Sequence, residues 1–314
     1  MTADNLAHGP TVVMARPLEL AKSKAATLVE ALPYIRTYRG QTVVVKVGGA
    51  ALDDQRLSAL LAEDLALLAM VGLRLVVVHG GGPQVSEAMS RSGIEPRFIE
   101  GLRVTDDAAM DIVRRVLIGS INSELVGRLC NAGLAAVGLS GTDGGLLTVE
   151  KVTGSRGQNL GRVGRVTDVR ADVLETLLEA RYTPVVATVA PDASGAAHNV
   201  NADAAAGAIA AALGAAKLVY LTNVEGLYND FGGADSLVSE IKLADLAGML
   251  EDLSAGMRPK AASAVAALEA GVGKAHILDG RIEHALLLEV FTDEGIGTQV
   301  LPDTAAIPGG ENKS

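Results

Sequence analysis

Two segments of the chain repeat one pattern, a run of branched aliphatic residues that ends in consecutive glycines. The first reads TVVVKVGG over residues 42–49, the second LRLVVVHGGGP over residues 73–83. An apolar run without alternation reads as a strand buried on both faces, and such strands belong to parallel sheets covered by helices. Between the runs, DDQRLSALLAEDLALLAMVG has the helical period, with Asp53 or Asp54 as cap and Gly72 as stop. In sheets of this kind ligands sit at the carboxyl ends of the strands, which is where both glycine turns fall.

The rest of the chain keeps this rhythm. QVSEAMSRSG predicts a helix stopped by Gly93, and another helix runs from Asp106 or Asp107 to Asn131 with a possible break at Gly119. AAVGLS is a strand, and residues 146–169 read as a β-hairpin around a Gly/Ser/Asn-rich turn. A helix over 171–180, the strand TPVVATVA, the helix ADAAAGAIAAALGA and the strand KLVYLTNV follow. Helices over 243–250 and 260–270 and the strands KAHIL and GTQV complete the pattern. Residues 1–17 read as a loose tail. The helical period that follows over 18–40 is interrupted by Pro33, which predicts a kink or break near Leu32. No sequence repeat is seen.

Composition narrows the function. With 49% hydrophobic and 20% charged residues the chain is globular, and with 3% aromatics and no Trp its core is aliphatic. The single cysteine, Cys130, excludes an intrachain disulfide and a cysteine-based zinc site, and its apolar surroundings read as a buried small hydrophobe. A net charge of −10 and the absence of a basic run disfavour nucleic acid. No secretory signal is visible, and the longest apolar stretch, 204–216, is too short to span a bilayer, so a cytoplasmic location is expected.

Six short segments carry candidate chemistry. Lys46 precedes the first turn, Gly48-Gly49, where its ammonium could meet a phosphate and the glycine N–H groups could cradle oxygens, though a strand-end lysine beside a structural turn reads the same way. Gly80-Gly81-Gly82 suits close approach of an anion to backbone, and Pro83 fits a first helical position. His79 beside it reads as a packed strand-end residue. Arg103 in GLRVTD suits a carboxylate, or is a surface arginine. In HNVNAD, Asn199, Asn201 and Asp203 stand at a helix entrance, where Asn201 or Asp203 could cap or could serve a site. YLTNVEGLYND is a strand followed by a polar loop. Lys260 in GMRPKAASAV opens a helix against its dipole, which hints at a bound anion. Neither a Walker loop nor a dinucleotide fingerprint is present.

Taken in order, KVGGA, VVVHGGGPQV, GLRVTD, NVNADAAAGAIA, LTNVEGLY, GM-x-x-K and GTQV resemble the amino-acid kinase family over residues 18–301, and within it the branch that phosphorylates N-acetyl-L-glutamate. The resemblance implies an α/β fold, a three-layer α/β/α sandwich with a mostly parallel sheet. It implies an N-acetylglutamate lobe over 41–215 and an ATP lobe over 216–314. It puts Lys46, Lys260 and Asp203 at the catalytic positions, the first two as transition-state lysines and the acid as their organiser. Gly81, Gly82, Arg103 and Asn199 match substrate-holding residues. Gly48, Gly49, Thr222, Asn223, Val224, Glu225, Gly226, Leu227, Ser254, Gly256 and Met257 match nucleotide-binding ones. Mg²⁺ would arrive with ATP, and no metal site of the protein's own is expected. Val47 and Ala50 stand where many relatives carry Tyr and Asn, which bears on substrate preference.

The ends of the chain resemble the arginine-inhibited branch. EALPYI lies in an extra amino-terminal helix over 18–40, which in those relatives joins dimers into a hexamer, and HILDGRIEHALLLEVFTDEGIGT closes the chain. Tyr34, His276, Glu289 and Gly295 match the positions that bind L-arginine. Some of these relatives also bind a PII signalling protein. Rival readings are a kinase of the same fold for glutamate, aspartate, an aminoadipate derivative, carbamate or UMP, and a non-catalytic arginine sensor, which the retained lysines and Asp203 argue against.

Overall fold

The computed structural model describes residues 18–228, 236–291 and 295–303. Eight strands form one central sheet. Their order across it is Glu240–Lys242, Thr298–Leu301, Lys274–Asp279, Lys217–Thr222, Thr42–Val47, Arg74–His79, Thr183–Ala187 and Ala136–Ser140. All neighbours pair parallel except Thr298–Leu301 against Lys274–Asp279. The two glycine-ended runs are adjacent central strands, with Val44 opposite Val76 and Lys46 opposite Val78.

Alternate residues of each strand feed opposite layers. Val44, Val76, Val78, Val186 and Leu218 face the helices Ala202–Ala212 and Arg258–Glu269. Val43, Val45, Val77, Val185 and Val219 face Gln55–Met70, Ser123–Asn131 and Ala285–Phe291. Each of these valines is nearly or wholly buried, a contribution of about 1.5–3 kcal/mol apiece. The product is the expected three-layer α/β/α sandwich. A smaller sheet of Leu147–Thr153, Asn159–Val169, Ala197–Val200 and Val189–Pro191 flanks it.

Several expectations need correction. The amino-terminal helix runs unbroken from Leu18 to Tyr38 with Pro33 inside it. The proline withholds one N–H, and Thr37 Oγ1 donates to the Pro33 carbonyl in the turn that follows. The helix is not broken at Gly119 either: it widens into a π-helical stretch, Arg115–Asn122, between Asp107–Arg114 and Ser123–Asn131. Cys130 is exposed, because Leu125 and Leu129 occupy the inward face of its helix and position 130 falls beside it. TPVVATVA divides into two strands in different sheets. The tail over residues 1–17 and the end of YLTNVEGLYND lie outside the described residues. Among those described, no helix is long and apolar enough to cross a membrane.

The π-helical stretch has a role in holding the second glycine turn. It points Asn122 under the sheet, where its Nδ2 donates to His79 Nε2 at 3.0 Å and to the Val185 carbonyl at 2.9 Å. His79 is wholly buried and donates from Nδ1 to the Gly80 carbonyl at 2.9 Å. Burial pushes its imidazole down to about 4 from 6.5, despite the Gly80 contact that works the other way. The unfolded chain therefore binds more protons than the fold between about 4 and 6.5. The stability that goes with neutral His79 is present above that window and is lost as pH falls through it. His79→Gln, which keeps an acceptor for Asn122, should lose roughly 2 kcal/mol less than the parent between about pH 7 and about pH 5 in urea titrations. Equal losses in the two proteins would clear His79 of this role.

Candidate active site

A cleft of about 230 Å³ opens at the carboxyl ends of the two central strands. Its floor is Lys46, Asp203 and the two glycine turns, and Arg103 and Asn199 stand on its wall. Asp203 is the centre. Its Oδ1 lies 2.8 Å from Lys46 Nζ and its Oδ2 3.1 Å from Lys260 Nζ. Burial works against the Asp203 charge, but Lys46 and then Lys260 outweigh it and hold the carboxyl below its usual range. One carboxylate thus fixes two ammonium groups that come from a strand and from a helix far apart in sequence.

Local sequence explains how Asp203 comes to be available. Asn201 takes the capping duty of helix Ala202–Ala212, accepting from the Asp203 and Ala204 N–H groups. The Asp203 side chain is then released to the lysines. Lys260, in the first turn of Arg258–Glu269, also donates to the Gly256 carbonyl at 3.3 Å, which ties the loop before that helix to the site. A Cβ on Gly48 would sit 2.8 Å from Lys46 Nζ, so the first turn lacks a side chain where the ammonium folds back over it.

Packing requires glycine at one position of the second turn. A Cβ at Gly81 would overlap Ile121 Cδ1 and press on Leu117 Cδ2, both from the π-helical stretch, whereas one at Gly82 would meet open space. Gly82 is instead part of the Arg103 mount. Arg103 Nη2 donates to the Gly82 carbonyl at 2.7 Å and to Ser86 Oγ at 2.8 Å, and the guanidinium lies 4.7 Å from the Phe98 ring centre. Among the described residues Arg103 has no acidic partner, so a buried cation faces the cleft ready for a carboxylate. Asn199 Nδ2 donates to Thr105 Oγ1, which donates to the Arg103 carbonyl, so both wall residues share one support.

Of the matched nucleotide residues, Gly48 and Gly49 line this cleft and the others lie beside it. Lys46 pairs with Tyr220, so Thr222, two residues on, ends its strand at the level of Gly48. Asn223, Val224, Glu225, Gly226 and Leu227 follow it, and the Leu227 N–H donates to Thr298 Oγ1. Ser254, Gly256 and Met257 form the turn before the Lys260 helix, with Met257 N–H donating to the Ser254 carbonyl. Val47 is buried in the sheet. Sequence reasoning missed Ser86, Thr105, Phe98 and Asn122. Ser86 and Asn122 act through partners distant in sequence, while Phe98 and Thr105 act on nearby Arg103, whose own role must be known before theirs can be read.

Tyr34, Glu289 and Gly295 meet elsewhere, around a cavity of about 290 Å³ that Lys217, Lys274 and Glu240 also line. His276 lies behind Glu289 and donates from Nδ1 to its Oε1. Burial pushes this imidazole below its usual value, and although burial also opposes the Glu289 charge, the His276 hydrogen bond keeps its carboxyl low. The Lys217 ammonium sits 4.4 Å from the Tyr38 ring centre and joins the last turn of the amino-terminal helix to the sheet.

Comparison with known proteins follows the same lines. The profile of the amino acid kinase family matches residues 41–279. A protein of Acidothermus cellulolyticus named acetylglutamate kinase is 48% identical over 296 residues, covering 92% of this chain and all of that one. One of the same name from a Nocardioides species is 50% identical over 283 residues, covering 89% of this chain and 91% of its own. Among solved structures, N-acetylglutamate synthase from Neisseria gonorrhoeae, complexed with coenzyme A and N-acetyl-glutamate, superposes with a TM-score of 0.80 at 30% identity, over 89% of this chain and 64% of that one.

The packing around the second turn makes a contrast that can be measured. Gly81→Ala should cost about 1–3 kcal/mol by urea unfolding, because the new methyl must push the π-helical stretch aside. Gly82→Ala should stay within about 0.5 kcal/mol of the parent. The same small cost at both positions would mean that Gly81 is not packed as described.

Proposed function

We propose that this chain, which belongs to the amino acid kinase family and within it groups with the acetylglutamate kinases, moves the γ-phosphoryl group of ATP onto the γ-carboxylate of N-acetyl-L-glutamate. The product is N-acetyl-L-glutamyl 5-phosphate, and the step is the second of arginine biosynthesis. The observation that carries the reading is the convergence of Lys46 and Lys260 on Asp203, which with the two glycine turns forms the floor of the cleft.

The chemistry follows from charge. A γ-carboxylate is ionised near pH 7, so its oxygen can attack the γ-phosphorus without a general base, and the β–γ bridging oxygen leaves on ADP. The obstacle is that an anion approaches an anion. Two ammonium groups fixed on opposite sides of the transferring group neutralise the charge that builds there, and pre-set geometry spares the reaction their reorganisation. Asp203 holds the pair apart. The N–H groups of Gly48, Gly49, Gly81 and Gly82 serve the phosphoryl oxygens. Arg103, with Asn199, takes the α-carboxylate side of the acceptor, in keeping with its lack of an acidic partner. Mg²⁺ is part of the substrate and rides on the β- and γ-phosphates. The segments at Thr222–Leu227 and Ser254–Met257 hold the nucleotide, which makes 41–215 the acceptor lobe and 216–314 the ATP lobe.

Regulation is part of the proposal. The Tyr34–Glu289–Gly295 cavity, with His276 behind it, suits free L-arginine, whose guanidinium would meet Glu289 and Glu240. Exposed Leu28, Val29 and Leu32 on the amino-terminal helix support a role for residues 18–40 in joining subunits, in a hexamer as in arginine-inhibited relatives. A PII protein is a further candidate partner, and the cytoplasm the proposed location.

Two experiments test this. With Mg-ATP the purified protein should phosphorylate N-acetylglutamate far faster than glutamate or aspartate, and Lys46→Ala or Lys260→Ala should lower kcat by roughly 10² or more. Comparable turnover of free glutamate would overturn the acceptor assignment. L-Arginine should inhibit cooperatively, and removing residues 1–35 should weaken that inhibition and reduce the assembly to dimers while catalysis persists. A shortened protein that stays hexameric and equally sensitive would show that the helix does neither job.

A further inference from the structure

The elements that carry the three charged groups are joined by buried hydroxyls to which the proposed reaction assigns no task. Tyr220 is wholly buried and lies across from Lys46 in the parallel pairing of Lys217–Thr222 with Thr42–Val47. Paired residues of neighbouring strands leave the sheet on the same face, so Tyr220 points into the helix layer that Lys46 enters. Its hydroxyl donates to Ser263 Oγ at 2.7 Å. Ser263 Oγ donates in turn to the backbone carbonyl of Asp203 at 2.6 Å. Ser263 lies three residues beyond Lys260, close to one turn along the same helix. The helices touch here: a Cβ on Gly207 would overlap Ser263 Oγ. Burial pushes the Tyr220 phenol far up, so it remains a donor throughout the working range.

Resting on the phosphoryl-transfer reading, we infer that the Tyr220–Ser263 relay is the positioning device of the two-lysine bridge. Lys260 is a long side chain with much rotamer freedom, and one contact to a carboxylate does not fix the helix beneath it. The relay fixes that helix through the Ser263 hydroxyl, against the Asp203 carbonyl on one side and the Lys46 sheet on the other. It thereby sets the separation of the two ammonium groups to a width that the glycine at position 207 permits. The acceptor's own contacts, Arg103 and Asn199, belong to other elements. Loss of the relay therefore affects the transition state and spares acceptor binding. Tyr220 and Ser263 touch neither substrate, so both are positioning residues.

The test uses full-length wild type, Tyr220→Phe, Ser263→Ala and the double variant. Each single change should lower kcat roughly five- to tenfold while KM for N-acetylglutamate stays within about twofold, since small misplacements of a fixed charge weaken the transition state. The double variant should be no worse than the poorer single one, because both break the same connection. Unchanged kcat in a folded variant, a rise in KM for N-acetylglutamate alone, or losses that simply multiply would overturn the inference. If Tyr220→Phe does not fold, Ser263→Ala, which removes one oxygen, decides. Failure of both to fold would also overturn it, as the relay would then hold the fold and not the bridge. Absence of wild-type turnover would instead count against the function. Crystal structures of wild type and Ser263→Ala then judge the relay, which fails if Lys260 keeps its contact with Asp203.

Discussion

Everything at the site depends on a single carboxylate shared between two ammonium groups. Taking such a cluster out of water is expensive, and it repays the cost only when geometry is tight and the remaining polar atoms are met. Asp203 is 5% exposed and Lys46 8%, so solvent does little to soften either charge. The cluster as a whole carries one excess positive charge, which an incoming phosphate can complete. That arrangement fits a catalyst better than a structural tie, for which a balanced pair would suffice.

The glycines and the helix contacts around the cluster read as consequences of this choice. Gly48 leaves room for Lys46 to fold back, Gly207 lets the Lys260 helix come close, and Gly81 lets the π-helical stretch press against the second turn. Each position is filled by the smallest residue because a neighbour's side chain already occupies the space. Cavity and support are thus specified together, and chemistry at the cleft is inseparable from packing behind it.

The sheet was legible in the sequence because its signal is local: runs such as VVVKV and LVVVH announce strands without reference to anything distant. The Ala-rich helix and the hairpin over 146–169 were equally plain. The turn chemistry of PDASG, at residues 191–195, could also have divided TPVVATVA from the strand that follows, since Asp192 accepts from the Ser194 and Ala196 N–H groups. What was not legible depends on partners. Pro33 predicts a break by its own chemistry, yet the surrounding helix tolerates it. Cys130 lies in an apolar stretch, yet a shift of one residue takes it off the buried face. The convergence of Lys46, Asp203 and Lys260 follows from topology, and only the resemblance of ordered motifs anticipated it.

The widened helical stretch over Arg115–Asn122 has an implication for how the sequence can change over time. An ordinary helix turn that lost one residue would swing every later side chain by roughly 100°. A π-helical turn holds an inserted residue already, so its excision would restore a regular helix with the flanking turns still in register, and only the residues inside the stretch would be re-aimed. Asn122 would swing away from His79, and Leu117 and Ile121 would no longer both back Gly81. Length is therefore constrained here independently of residue identity. Substitutions on the outer side of this stretch leave these contacts alone, whereas a single-residue deletion within it takes away the support of the second glycine turn.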